Sequence, residues 1–274
     1  MEWTITPNKL RKKIALALPL AVALVGLQTT ASANLLTNGN FGTTNLSTSG
    51  AILGAGSGTI SGWNLCTAAI CPSGASTPNN GANGLAFLYF PGTQGASLTD
   101  TYGTNDFKLA QGTAPNTIPN SSPAGGNWLI ADGGTSNNLA FYQPLTNLTV
   151  GASYVLTFYN AAGQQFNTAG ATTEDWEVFF GTTTLFTTQS TTTINNPHQG
   201  FTPWSLVTMV FTAQSANPVL EFLSQGTPSG DPPMDFIAGV SLTQASTPEP
   251  SGMALMGVGM IGLVVVRRKF LKRS

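Results

Sequence analysis

From Asn34 to Thr247 this 274-residue chain carries one Lys, Lys108, three Glu and no Arg. That scarcity removes the side chains from which soluble helices are usually written. The same stretch is crowded with Gly, Thr, Asn, Ser and Pro, which punctuate short runs of Thr, Val, Phe, Tyr and Trp. Such runs between turn residues favour strands. The spacing predicts strands over 34–41, 60–65, 85–90, 127–132, 138–145, 152–160, 176–180, 183–187, 204–213, 218–224 and 235–243. In 152–160, Tyr154, Leu156 and Phe158 share one face, and Val155, Thr157 and Tyr159 the other. Residues 91–105 and 112–126 read as surface loops. No helical period and no internal repeat interrupts the pattern, so the expected class is all-β, a single antiparallel β-sandwich.

Charge is distributed unevenly. Four of the ten basic residues lie in 9–13 and five in 267–273, whereas nine acids occupy the middle: Asp100, Asp106, Asp132, Glu174, Asp175, Glu177, Glu221, Asp231 and Asp235. The body therefore carries a formal −8 although the whole chain carries −1. Nucleic acid and anionic lipid are poor partners for such a surface, because phosphate binding depends on Lys and Arg. Neutral glycans, cations and basic proteins fit better.

Both ends read as addresses. Lys9, Arg11, Lys12 and Lys13 precede an apolar run from Ile14 to Leu27, and Ala31-Ser32-Ala33 supplies small residues for cleavage before Asn34. Residues 1–33 are thus expected to be a signal-peptide helix, 34–245 the sandwich and 246–274 a sorting tail. The tail reads Pro248-Glu249-Pro250, an uncharged run from Ser251 to Val266, then Arg267, Arg268 and Lys269 as a basic stop. At 1.5 Å per residue the run reaches about 24 Å as a helix, short of the roughly 30 Å hydrocarbon core. A transmembrane helix of that length is a marginal anchor, suited to being recognised and removed. In an exported chain, Cys66 and Cys71 are expected to close a small local disulfide loop.

The tail resembles the PEP-CTERM sorting signal of bacterial surface and exported proteins. That resemblance implies processing by an exosortase-type membrane transpeptidase, an inner-membrane intermediate and a final place at the cell surface or outside it. The body resembles galactose-binding-like jelly rolls in Asn34-Leu35-Leu36-Thr37-Asn38-Gly39-Asn40-Phe41 followed by Trp63, and in the strand pair of 143–158 with its Leu148-Thr149-Val150-Gly151 turn. Residues 170–178, 200–204 and 226–233 look like features of a PEP-CTERM subgroup with this domain. The resemblance implies a jelly-roll topology. Many such domains hold a structural calcium on a glutamate ending the opening strand and an aspartate of the last strand; here Gly42 and Ala238 stand at those places, so no cofactor or metal is expected there.

Carbohydrate recognition would use aromatic platforms beside Asn, Asp and Gln. Tyr89, Tyr102 and Trp128 are the candidates; Trp63, Trp176 and Trp204 are assigned to the core. Asp175 and Glu177, two apart on a strand, point to one face about 7 Å from each other, a spacing that overlaps that of inverting glycosidase carboxylates. Adjacent acids on a strand are more often solvated surface, and His198 reads as a loop residue with no Gly-x-Ser-x-Gly elbow to serve. The leading expectation is a non-enzymatic surface or matrix protein associated with exopolysaccharide or biofilm. The alternatives are a specific carbohydrate-binding module and, third, a glycoside-active enzyme.

Overall fold

The computed structural model describes residues 33–47, 51–53, 59–66, 86–92, 99–102, 105–110, 112–113, 116–134, 139–228 and 230–246, with three tail residues, 259, 260 and 262. The chain divides into Met1–Ala31, outside the described residues, and Ser32–Ser274. The body is antiparallel strand and loop. Its strands are β1 (Ala51–Ile52), β2 (Asn64–Leu65), β3 (Ala86–Tyr89), β4 (Thr99–Tyr102), β5 (Asn105–Lys108), β6 (Gly112–Thr113), β7 (Asn116–Thr117) and β8 (Trp128–Asp132). The second half adds β9 (Ala140–Pro144), β10 (Ser153–Gln164), β11 (Thr172–Gly181), β12 (Phe186–Ser190), β13 (Ile194–Asn196), β14 (Thr202–Thr212), β15 (Val219–Thr227) and β16 (Pro233–Gln244).

Two sheets form a jelly-roll sandwich. The first runs β1-β3-β8-β16-β10-β14, and the second β12-β11-β15-β9-β2, with β13 also pairing β11. The final strand therefore lies inside the first sheet, hydrogen-bonded on both sides. Period-two alternation explains the facing: along β10, Tyr154, Leu156 and Phe158 are buried and Val155, Thr157 and Tyr159 half-buried, as the sequence predicts. A bulge in β16 corrects its phase. Thr157 pairs Ser241 whereas Tyr159 pairs Ala238, so β16 carries one extra residue, at Gly239 with φ +60°. Asp235 and Ile237 before the bulge and Val240 and Leu242 after it all turn inward.

Between the sheets lies an aromatic core centred on Phe222. Its ring stacks on Phe141 at 5.2 Å and meets Phe158 edge-on at 5.3 Å, with Trp63 and Trp176 at 6.1 and 6.2 Å. Offset and edge-to-face geometries are those aromatic quadrupoles favour. The indole N–H groups are satisfied: Trp63 Nε1 donates to Asn38 O at 3.1 Å, and Trp176 Nε1 to Phe236 O at 3.3 Å.

Three expectations change. Residues 34–41 form a turn, not a strand, with Asn38 and Phe41 at φ near 55°. The segment is held along β16 by Leu35 N to Leu242 O and Val240 N to Gly39 O, both 2.8 Å. A side chain at Gly39 would put its Cβ 2.0 Å from Val240 O, so glycine lets the two backbones touch. Residues 91–105 and 112–126, expected as loops, contribute strands to the hairpins β4–β5, which ends at Lys108, and β6–β7. Trp204, assigned to the main core, packs instead on Phe236 at 6.0 Å in a second apolar layer on the outer face of the first sheet.

Candidate functional site

That outer layer decides two of the sequence candidates. Tyr89, expected in an exposed setting, and Trp128 are both essentially inaccessible, at 0% and 1% exposure, and stack on each other at 5.9 Å. Leu109, Ile118 and Phe201, distant in sequence, cover them together with Phe87, Ile130 and Phe236. Neither offers a platform to a sugar. Tyr102 belongs to β4, opposite Asn105, and its side chain lies outside the described residues. Cys66 is buried and no free cysteine occurs among the described residues, while Cys71 lies outside them. Pro248, Glu249, Pro250, Arg267, Arg268 and Lys269 lie outside the described residues as well. Among the described residues no helix is long and apolar enough to cross a membrane.

The second sheet presents a different surface. Register places Thr173, Asp175, Glu177 and Phe179 of β11 on its outer face, opposite Thr227, Gln225, Leu223 and Glu221 of β15. Ser190 and Thr188 of β12 extend the Glu177 and Phe179 rows to one side, and Tyr142 of β9 with Asn64 of β2 extends the Glu221 row to the other. The β9–β15 half is packed, because Cys66, Ala140, Phe179 and Leu223 form a small buried cluster against Tyr142. The β11–β12 half is open: Thr188 and Ser190 are exposed, and Thr173, Asp175, Glu177 and Gln225 are half-buried. Gln225 Nε2 donates to Glu177 Oε2 at 2.5 Å, and the Thr173 and Thr227 hydroxyls lie 2.7 Å apart. Burial, then the neighbouring Glu177, raises the Asp175 carboxyl above its ordinary range. Phe186, 38% exposed, meets Phe179 edge-on at 5.7 Å and ends this ladder with an accessible ring.

Carboxylates, amides and hydroxyls at strand spacing, bounded by aromatic rings, can hydrogen-bond a row of neutral hydroxyl groups. Sequence placed Asp175 and Glu177 on one face correctly. It missed Gln225, Phe186 and Tyr142, which only strand pairing brings beside them.

Directly behind this ladder, on the inner side of β11, Glu174 is fully buried. Thr172 Oγ1 donates to Glu174 Oε1. Burial raises the Glu174 carboxyl from 4.5 to about 8, opposed by the Thr172 hydrogen bond and assisted by Asp175. Asp235 lies inside the first sheet between Ala162 of β10 and Ala131 of β8. Burial, then the charges of Glu174, Asp175 and Asp132, push its carboxyl well above the usual range, against a hydrogen bond from the Gln225 backbone. Asp231 accepts the Ala169 N–H at 2.7 Å in a turn. His198 is exposed, its Nε2 2.7 Å from Thr168 O.

Residues 246–269 match the PEP-CTERM protein-sorting motif. The protein is therefore an exported one handled at a membrane. No curated protein matches the chain. Solved structures with a similar arrangement of strands include TmCBM61 in complex with β-1,4-galactotriose, at 10% identity, covering 78% of this chain and 100% of that one, with a TM-score of 0.35. Others are the arabinose-bound MgGH51 α-L-arabinofuranosidase (14% identity, 79% and 27% covered, TM-score 0.40) and the enzymatically active domain of bacteriophage CBA120 tailspike protein 4 (12%, 77% and 21%, TM-score 0.36). The chain thus spans about a quarter of the length of the arabinofuranosidase and a fifth of the tailspike domain.

Proposed function

We propose that this is a non-enzymatic cell-surface or extracellular-matrix protein, processed by an exosortase-type transpeptidase at Pro248-Glu249-Pro250 and engaged with neutral exopolysaccharide, as in a biofilm. The observation that carries the reading is the sorting motif beginning at residue 246, two positions after β16 ends at Gln244. One sandwich domain is delivered with its address attached to its last strand. In this reading 1–33 is removed as the signal peptide, 34–245 is the delivered domain, and Cys66 and Cys71 are bridged.

The open β11–β12 face supports the polysaccharide part. Its acids disfavour anionic polymers, and its amide and hydroxyl groups favour neutral sugars. Fractionation followed by intact-mass measurement tests the address: the expected species lies outside the cytoplasm, begins at Asn34, lacks the basic tail and is two mass units lighter than its reduced form. A full-length polypeptide in the cytosol would overturn the export reading. Isothermal titration against neutral polysaccharides tests the face, with Phe186→Ala and Gln225→Ala expected to weaken binding. Heat that survives both substitutions would move the site elsewhere, Tyr102 being the next residue to replace.

The second reading, a specific binding module, is favoured by the definite polar ladder Thr173, Asp175, Glu177, Gln225 and Thr227. One oligosaccharide bound at a stoichiometry of one would select it over a loosely adhesive role.

A further inference from the structure

Between Glu177 and Glu221 the chain runs through residues 178–220 without one Asp, Glu, Lys or Arg. That stretch supplies β12 and β14, which end the second and the first sheet. The two edges lie on one side of the sandwich, since Gln189 Nε2 of β12 donates to Val210 O of β14 at 2.7 Å. Among the described residues β14 pairs β10 on one flank and no strand on the other. It is 11 residues long, and edges of that length are ordinarily blunted by charge, a bulge or a cover. Here Pro203, near one end, and the Gln189 amide are the guards. Ala213 turns its N–H and C=O toward Ala152 and Gly151, so the period of two points those of Leu206, Thr208 and Val210 to the open flank. On the outer face Leu206 is 59% and Val210 53% exposed, beside their half-buried register partners Tyr159 and Val155.

We propose that this edge receives a second copy of the chain, β14 pairing antiparallel with the partner's β14 about a two-fold axis at Thr208. Two six-stranded sheets then continue into one. The outer side chains run Trp204, Leu206, Thr208, Val210, Thr212, an order that suits itself reversed. The axis sets Leu206 against the partner's Val210 and Thr208 against the partner's Thr208, apolar and hydroxyl pairs of the kind that stabilise neighbouring strands. A copy meets this order by symmetry. Every acid of the body falls outside 178–220, so two acidic bodies approach here with no like charges face to face. β14 spans about 36 Å, and a wall roughly 20 Å deep across both layers gives roughly 700 Å² per copy, near the ~800 Å² per partner of a stable interface. Gln189 swings aside to release the Val210 carbonyl. An axis perpendicular to the sheets also turns both second sheets the same way. Resting on the reading of the β11–β12 ladder as the sugar face, this pairing offers two ladders to one polymer.

The test is sedimentation equilibrium of the full-length chain in density-matched detergent, where the wild type is expected to be a dimer at micromolar concentration. Leu206→Lys, at an exposed position, should raise the dimer dissociation constant about tenfold or more while Tm and the far-UV spectrum stay those of the wild type. Leu206→Lys combined with Val210→Glu places opposite charges across the axis twice and should restore the dimer. A monomeric wild type would overturn the proposal, as would a dimer indifferent to Leu206→Lys, such as one held by the tail. Failure of the double variant to recover would overturn the axis at Thr208. No sugar enters these readouts, so their failure leaves the glycan reading untouched, and failure of sugar binding leaves this one.

Discussion

The two ends of the sandwich interior solve opposite problems with the same pair of sheets. Around Phe222, rings from β9, β10, β11 and β15 fill the space by shape, and each polar indole edge finds a backbone carbonyl. Elsewhere in the interior β11, β15 and β16 bury Glu174, Ser224 and Asp235. Ser224 Oγ donates to Asp132 O at 2.6 Å, but two carboxylate oxygens stay unmatched. Apolar packing stabilises without regard to solution conditions. Buried acids make stability depend on protons.

The largest effect expected is at the aromatic centre. Phe222→Ala should cost about 3–5 kcal/mol in denaturant unfolding, since the cavity opens between both sheets; a loss under 1 kcal/mol would show that the rings do not carry the interface. Next is pH. The raised Glu174 pKa means that its contribution is complete below about 4.5 and is lost as pH rises through about 8. Thermal scans across that window should show Tm falling, and Glu174→Gln should flatten the slope while Phe222→Leu leaves it intact. Equal slopes in both variants would erase the distinction between the two ends. Thr172→Val, which removes the hydroxyl donated to Glu174 with little change of shape, should destabilise by about 1–2 kcal/mol. Smallest is the outer face: Glu177→Gln should change stability by less than about 0.5 kcal/mol, measured by chemical denaturation, because it is half-exposed on the open ladder.

What could be read in advance follows the same division. Strands whose apolar residues alternate were legible, as in β10, because period two encodes facing locally. Tyr89 and Trp128 were misread as platforms because their cover comes from Leu109, Ile118 and Phe201, and no local pattern announces a second layer. The β4–β5 hairpin was missed for a similar reason: Asp100, Asp106 and Asn105 resemble loop composition although they sit in paired strands. On the site, Asp175 and Glu177 shared a face as their spacing requires. Glu174 and Asp235 lie 61 positions apart on different sheets, so their approach is a property of topology.

The place of β16 has a mechanical consequence. Its ladder closes with Ala245 N to Ser153 O at 2.8 Å, and three further residues, about 10 Å of extended chain, reach Pro248. A pull on the domain from its C-terminal side travels along a strand that pairs β8 and β10. That load shears two rows of hydrogen bonds together instead of peeling one edge, so the chain leaves the domain from the strand that yields last.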